Sequence, residues 1–400
     1  MESINHSLLK YIANVNVVQI AADMVKIPSC SLSKNREKDV AEFIFNLLSK
    51  EGIQSELTEV EPGRFNVTAI QKGTGTGKSL MLCGHLDTVP AYDMSDPYSG
   101  LVKNGRLYGR GACDMKGPLA AMLAAFIGIY HSRIKIQGDL VFAGVIDEEE
   151  MGKGIEYLMK NGPFVDAAVI GEPTAMQLAV GHKGLEWLMV DVFGKKVHGG
   201  RMKEGINAIA MASKLINRLS EDYANILNER EHPILGSPTI NIGRIEGGDQ
   251  PSTVPGSCTL EIDRRWVPEE TVAQVYQEIS AIIEDLHKQD PKFNASVKSY
   301  FPSGELLPHE PFCTEETDPL VISAKITMSQ SGFDNLTSTV FPAWTDAGIL
   351  AAYTKTKCIV MGPGDLALAH TSNEYIETEE LKKASQFYGS LVLNYCGWDK

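Results

Sequence analysis

Short apolar runs that end on a histidine or an acid recur along the chain, and they constrain its fold more than any other feature. Phe65–Ile70, Leu80–Val89, Asp139–Ile146, Ala167–Gly171 and Lys357–Met361 are too short and too apolar for surface helices, so each is expected to be a buried strand. Between them lie segments with apolar residues at helical spacing: Val17–Lys26, Glu37–Glu51, Lys116–His131, Ile155–Asn161 and Thr378–Tyr395. Strands interleaved with helices stack as a three-layer α/β domain.

From about Lys183 the pattern changes. A strand (Gly184–Phe193), a long helix (Gly205–Ile226), two strands (Thr239–Ile245 and Thr259–Trp266), a second long helix (Glu269–Lys288) and a last strand (Asn294–Tyr300) follow one another. That order is a ferredoxin-like split βαβ unit. Residues 183–295 are therefore expected to form an inserted α+β domain, with residues 1–182 and 296–400 forming a discontinuous first domain.

The chain has 400 residues, 43% of them apolar, enough for a large core in two or three domains. A formal net charge of −14 with no dense run of Lys and Arg excludes nucleic acid and anionic membrane as expected partners and leaves a small molecule. The first residues, MESINHSLLKYIANVN, do not read as a secretory signal, and no stretch approaches the roughly 20 charge-free apolar residues that span a bilayer. The expected compartment is the cytoplasm. Seven cysteines, never spaced as CxxC, argue against a disulfide framework or a cysteine zinc knuckle, and Cys83 and Cys113 are expected to be core thiols. The run Gly73 to Ser79 imitates a phosphate loop, but Lys72 stands where that motif needs glycine and a strand follows rather than a helix. It is expected to be a turn.

Five places offer metal-binding chemistry, each after an apolar run and so at a strand exit, where open α/β sheets place their ligand sites. LCGHLDTVP carries His85 and Asp87, and an i, i+2 pair on a strand faces one way, so the Asp87 carboxylate is expected to accept the second ring N–H of His85. GRGACDMKG sets Asp114 in a glycine-rich loop before a helix, where an isolated Asp would cap the helix but a bridging carboxylate also fits. VIDEEEMGKG leaves a buried strand with four acids in a row, costly unless a cation or a proton sits among them. Adjacent Glu148 and Glu149 can then divide the work, one binding metal and the other acting as general base. Glu172 ends the run AAVIGEPT, and His370 lies in the polar loop of GPGDLALAHTSNEY. Singly each has a plainer explanation as a cap, a turn or a surface residue. Jointly they point to a divalent-metal site.

Taken in order, GHLDTVP, GRGACDMKG, DEEEMGKG, GEPT and GPGDLALAHTSNEY resemble the blocks of the co-catalytic zinc family that includes acetylornithine deacetylase, succinyl-diaminopimelate desuccinylase, aminoacylase and the glutamate carboxypeptidases. The resemblance implies a zinc-peptidase-like catalytic domain with an inserted lid that also serves dimerisation. It implies two Zn2+ per chain, with Co2+ or Mn2+ as substitutes. Asp114 matches the bridging ligand, His85 and Glu172 the partners of one ion, and Glu149 and His370 the partners of the other. Glu148 matches the general base and Asp87 the carboxylate that orients His85. Glu150 leaves room for a one-residue shift, and Gly152 and Gly154 favour the register given.

In the insert, GKKVHGGRMKEGINAI resembles the segment whose histidine, here His198, stabilises the oxyanion, in dimers from the partner subunit. TINIGRIEGGDQPSTVPGSCTLEIDRRWVP resembles the lid segment that supplies Asn241 and Arg265 to a substrate carboxylate, with Arg264 as the alternative because neighbours on a strand face opposite sides. AWTDAG, with Thr345 and Asp346, resembles a substrate-proximal segment. The implied reaction is hydrolysis of an amide in a small carboxylate-bearing substrate, an N-acyl amino acid first. A dipeptidase or carboxypeptidase on the same site is the alternative, and a non-catalytic metal-dependent binding protein the alternative of another class.

Overall fold

The computed structural model describes residues 2–301 and 307–399. The chain divides into two compact units, one of residues 1–181, 314–341 and 345–400, the other of residues 182–313 and 342–344.

The first unit is built on a six-stranded sheet in the order Ser55–Glu61, Arg64–Gln71, Leu140–Val145, Leu80–His85, Ala167–Ile170 and Lys357–Val360. The last four run parallel, and the first two join antiparallel. Leu80–His85 and Leu140–Val145 are buried at every position, as strands covered on both faces must be. Ser55–Glu61, with three glutamates, is an edge strand, and a search for apolar runs does not reveal it.

The helix Lys116–Ser132 is buried from Lys116 to Ile129 because the helices Glu2–Asn14, Val17–Val25 and Thr378–Cys396 cover it while it packs on the sheet. A side chain at Gly128 would meet Ile12 at 2.5 Å, so glycine sets how near the first helix can lie. Phe126, fully buried, packs edge-on to Phe142 of the sheet at 6.3 Å between centroids. Truncating such a ring to alanine costs about 3–5 kcal/mol. The parallel strands thus form a rigid support whose carboxyl ends open on one edge. No described helix is long and apolar enough to cross a membrane.

The second unit carries a four-stranded antiparallel sheet in the order Thr239–Gly247, Ser257–Trp266, Gly184–Phe193 and Asn294–Ser299. With the intervening helices this is the ferredoxin-like order of elements. Gly184–Phe193 and Ser257–Trp266 alternate buried and exposed positions, so one face is a core with Leu188, Val190, Leu260 and Ile262 against Leu215, Ile279 and Ile283 of the helices. The first helix starts at Ala208, because Asn207 accepts the Ala210 N–H at 3.0 Å, and its register passes through a π-helical stretch at Arg218–Tyr223. The unit runs past residue 295 to Cys313, since Asn294–Ser299 is the fourth strand of its sheet.

Candidate metal centre

Adjacent parallel strands deliver the side chains. His85 is the last residue of its strand, Glu148 and Glu149 leave Leu140–Val145 in a turn, Glu172 closely follows Ala167–Ile170, and His370 lies beyond Lys357–Val360 in a loop. Asp114, in the loop before the Lys116–Ser132 helix, stands among them. Its Oδ1 is 3.1 Å from His85 Nε2 and its Oδ2 is 3.2 Å from His370 Nε2. Glu172 Oε1 lies 3.8 Å from the same His85 nitrogen, and Glu149 Oε2 lies 3.1 Å from the His370 nitrogen. The five side chains therefore form two sets that share Asp114. Ligand atoms of His85, Asp114 and Glu149 all fall within 4.8 Å of one another.

Asp114 does not cap the helix. Met115 holds the cap position, and Gly111, with φ +85°, turns the loop so that its carbonyl accepts the Lys116 N–H at 2.8 Å. The Asp114 backbone is held instead by Glu374, whose Oε1 accepts the N–H of Cys113 at 2.8 Å and of Asp114 at 3.1 Å.

Asp87 corrects an expectation. Its backbone carbonyl, not its carboxylate, takes the His85 ring: Nδ1 is 3.0 Å from Asp87 O and 3.6 Å from Oδ1. The strand stops at His85, so the two-residue period no longer applies at Asp87. The carboxylate accepts the backbone N–H groups of Glu148 and Glu149 at 3.2 and 3.0 Å. A ring that donates Nδ1–H to a carbonyl can bind a metal ion through Nε2, the nitrogen that lies beside Asp114 and Glu172.

Of the three glutamates, Glu150 points outward and pairs with Arg36, while Glu148 and Glu149 are half-buried. Asp147, ahead of them, is 1% exposed and accepts a hydrogen bond from Arg64 Nη2 at 2.5 Å, and Arg64 Nε donates to Glu37 at 2.9 Å. Arg64, Glu37 and Glu374 carry no signal in a sequence pattern, apart from Glu374 lying in the same block as His370.

Thr345 is fully buried, and its Oγ1 accepts the Ala347 N–H at 3.2 Å, a bond that starts the next helix rather than facing open space. Asp346 beside it is 1% exposed, and neither of its oxygens has a hydrogen-bond partner.

In the second unit His198 is exposed on the short strand Val197–His198, where its Nδ1 accepts the Gly200 N–H at 3.1 Å. Asn241 pairs across the sheet with Asp263, and Thr239 with Arg265, so Asn241 and Arg265 share the face away from the helices. Arg265 donates to both Asp263 oxygens at 2.8 and 2.9 Å. Arg264 faces the core, fully buried, and donates to Glu270 at 2.6 Å.

The sequence pattern described as Peptidase family M20/M25/M40 matches residues 81–394. The chain belongs to that family. It is 29% identical over 398 residues to an acetylornithine deacetylase of Proteus mirabilis, covering 95% of this chain and 96% of the relative. A tripeptidase from Staphylococcus aureus superposes with a TM-score of 0.77 at 22% identity, over 95% of this chain and 98% of that one. A dinuclear metal-binding peptidase of Bacillus subtilis superposes at 0.71 with 17% identity, over 96% and 98%. As a member of the M20 family, the chain is a hydrolytic enzyme acting on amide bonds.

The electrostatics of this M20 centre describe a site that demands cations. Burial pushes the carboxyls of Glu148 and Glu172 well above the usual range, and the charge of Glu172 adds to the rise at Glu148. Burial likewise lifts Asp346 to about 8. Burial opposes charge on Asp114 too, but hydrogen bonds to His370 and His85 hold it well below its ordinary value. His370 is raised to about 10 by Asp114 and Glu149, and His85 also rises, since the Asp114 bond and the nearby acids outweigh its burial. Glu172 Oε1 is buried with no hydrogen-bond donor. Imidazole nitrogens and carboxylate oxygens, one of them orphaned, fit divalent ions. Cys83 and Cys113 are fully buried, and burial raises both thiols well above 9.0, so neither is a nucleophile.

Proposed function

We propose that this chain is a cytoplasmic deacylase that hydrolyses the amide of a small N-acyl amino acid, with two Zn2+ ions held by His85, Asp114 and Glu172 and by Asp114, Glu149 and His370. The observation that carries this reading is the Asp114 carboxylate, one oxygen 3.1 Å from His85 Nε2 and the other 3.2 Å from His370 Nε2. The same donors accept Co2+ or Mn2+. Such a pair of ions supplies Lewis acidity for the amide carbonyl and acidifies a water.

Glu148 belongs to neither set of ligands. It takes the proton from the attacking water and returns it to the departing nitrogen. His198 accepts the Gly200 N–H on Nδ1, which leaves the ring hydrogen on Nε2 to donate to the developing oxyanion, across a homodimer formed by the lid. Asn241 and Arg265, on one face of the sheet, bind the substrate carboxylate, for which a planar guanidinium offers two parallel donors. Likeness to an acetylornithine deacetylase over nearly the whole of both chains supports an acyl amino acid as substrate.

The test is a substrate panel with the zinc-reconstituted protein: N-acetylornithine, N-succinyl-diaminopimelate, N-formyl amines and dipeptides. One acyl compound should exceed every dipeptide by at least about tenfold in kcat/KM. Turnover confined to dipeptides overturns the acyl reading.

A further inference from the structure

One buried carboxylate ties together the loops that carry Asp114 and His370. Glu374 is fully buried, its Oε1 accepts the N–H groups of Cys113 and Asp114 at 2.8 and 3.1 Å, and its Oε2 accepts Arg110 Nη1 at 2.5 Å. Arg110, 1% exposed, also donates from Nε to Pro90 O at 3.2 Å. Tyr375–Glu377 pairs antiparallel with Arg106–Tyr108, and the Gly109 N–H reaches Glu374 O at 3.3 Å. Gly109 and Gly111, with φ +141° and +85°, make the intervening loop intrinsically permissive, so its shape comes from these contacts.

We infer that Glu374 is a positioning residue for Asp114, holding the backbone from which the shared carboxylate projects so that one oxygen serves each half of the centre. This rests on the reading of Asp114 as a shared ligand. An Asp side chain has few torsions, so its oxygens go where its backbone goes, and a shared ligand tolerates displacement less than a ligand to one ion. The residue type follows from the donors around it. Two N–H groups and a guanidinium converge on Glu374, and only a group that accepts without donating satisfies all three. A Gln would turn an N–H2 toward Arg110. Since its oxygens are engaged by these donors, Glu374 acts through Asp114 and is not itself a ligand. The competing account is a buried ion pair that merely staples two strands.

Three variants separate these accounts: Glu374→Met, Arg110→Met and the double variant E374Q/R110M. The readouts are stepwise Zn2+ affinity by chelator competition, melting of the metal-free protein, and kcat and KM. Glu374→Met should weaken zinc binding about 10–100-fold and lower kcat more than it raises KM. Arg110→Met keeps the acceptor and should lower the melting temperature while leaving affinity within about threefold of the parent. E374Q/R110M gives the two N–H groups an amide oxygen with no donor opposite its N–H2, so affinity should return to within about threefold of the parent. A folded Glu374→Met with parental affinity overturns the inference, and so does a folded E374Q/R110M that binds as poorly as Glu374→Met. If Glu374→Met does not fold, the double variant decides alone. A parent protein that binds fewer than two ions overturns the shared-ligand reading and this inference with it, an outcome visible before any variant is made.

Discussion

The Asp87 carboxylate accepts the Glu149 backbone N–H at 3.0 Å and, through its other oxygen, the Glu148 N–H at 3.2 Å. Asp87, two residues past the end of the His85 strand, thereby sets the turn that presents the other two acids. Asp87→Asn keeps one acceptor and aims an N–H2 at the second N–H. It should reduce kcat about 10–100-fold, with metal content near parental, as outer partners of metal sites do. Parental kcat would show that the turn holds its shape without this bond.

Removing the proposed base isolates chemistry from binding. Glu148→Gln keeps the volume and loses the proton acceptor, and kcat should fall about 10²–10⁴-fold while two ions still bind. Metal analysis on the same sample checks the second half. Retained kcat would move the base elsewhere in the centre.

How much of this was legible in the sequence depends on what each residue answers to. His85, Glu149 and Glu172 end apolar runs, and a strand that stops on an acid is visible without coordinates. The sheet order is not: Leu140–Val145 lies between Arg64–Gln71 and Leu80–His85, and pairing across such separations leaves no local mark. Alternation does not give the role of Asp87, because the strand ends two residues earlier, at His85. Arg64 and Glu374 were missed because an acid or an arginine in a polar stretch does not show whether it is buried. In the DEEE run, by contrast, the outward position of Glu150 follows from its pairing with Arg36, a residue far off in sequence.

Arg64 offers the clearest stability prediction. It joins Glu37 and Asp147, both 1% exposed, and also donates to Glu61 at 2.6 Å. Arg64→Met leaves two carboxylates buried without their cation, which should cost about 3–5 kcal/mol in chemical denaturation. Because Asp147 begins the acid turn, activity at temperatures where the variant is folded should fall as well. A loss under about 1 kcal/mol would mean water reaches the pair, as at exposed ion pairs.

Arg264 and Arg265 should behave oppositely although they are neighbours. Arg264→Ala removes one of two guanidinium donors to the buried Glu270, Arg230 remaining at 2.9 Å, and should destabilise the second unit by about 1.5–3 kcal/mol. Arg265→Ala loses a partly exposed pair with Asp263 and should change stability by no more than about 1 kcal/mol. If Arg265 binds the substrate carboxylate, the same change raises KM for carboxylate-bearing substrates and spares esterified ones. Equal losses of both substrate types would remove it from that role.

His309 builds an acid sensitivity into the second unit. It is 8% exposed, lies 4.6 Å from the Trp344 ring and 5.6 Å from Phe301, and burial, with Arg265 nearby, lowers its pKa to about 4. Its unfolded value is about 6.5, so between those values the unfolded chain binds a proton that the folded one refuses. Stability is therefore complete above about pH 6.5 and falls progressively as the pH drops to about 4, by about 3 kcal/mol in all. His309→Phe fills the aromatic pocket without a titrating group and should flatten this part of the curve, measured as melting temperature against pH from 4 to 7. Carboxylates elsewhere titrate at the lower end of that range, so the comparison of variant with parent carries the result. Identical slopes in the two proteins would place the acid sensitivity in another group.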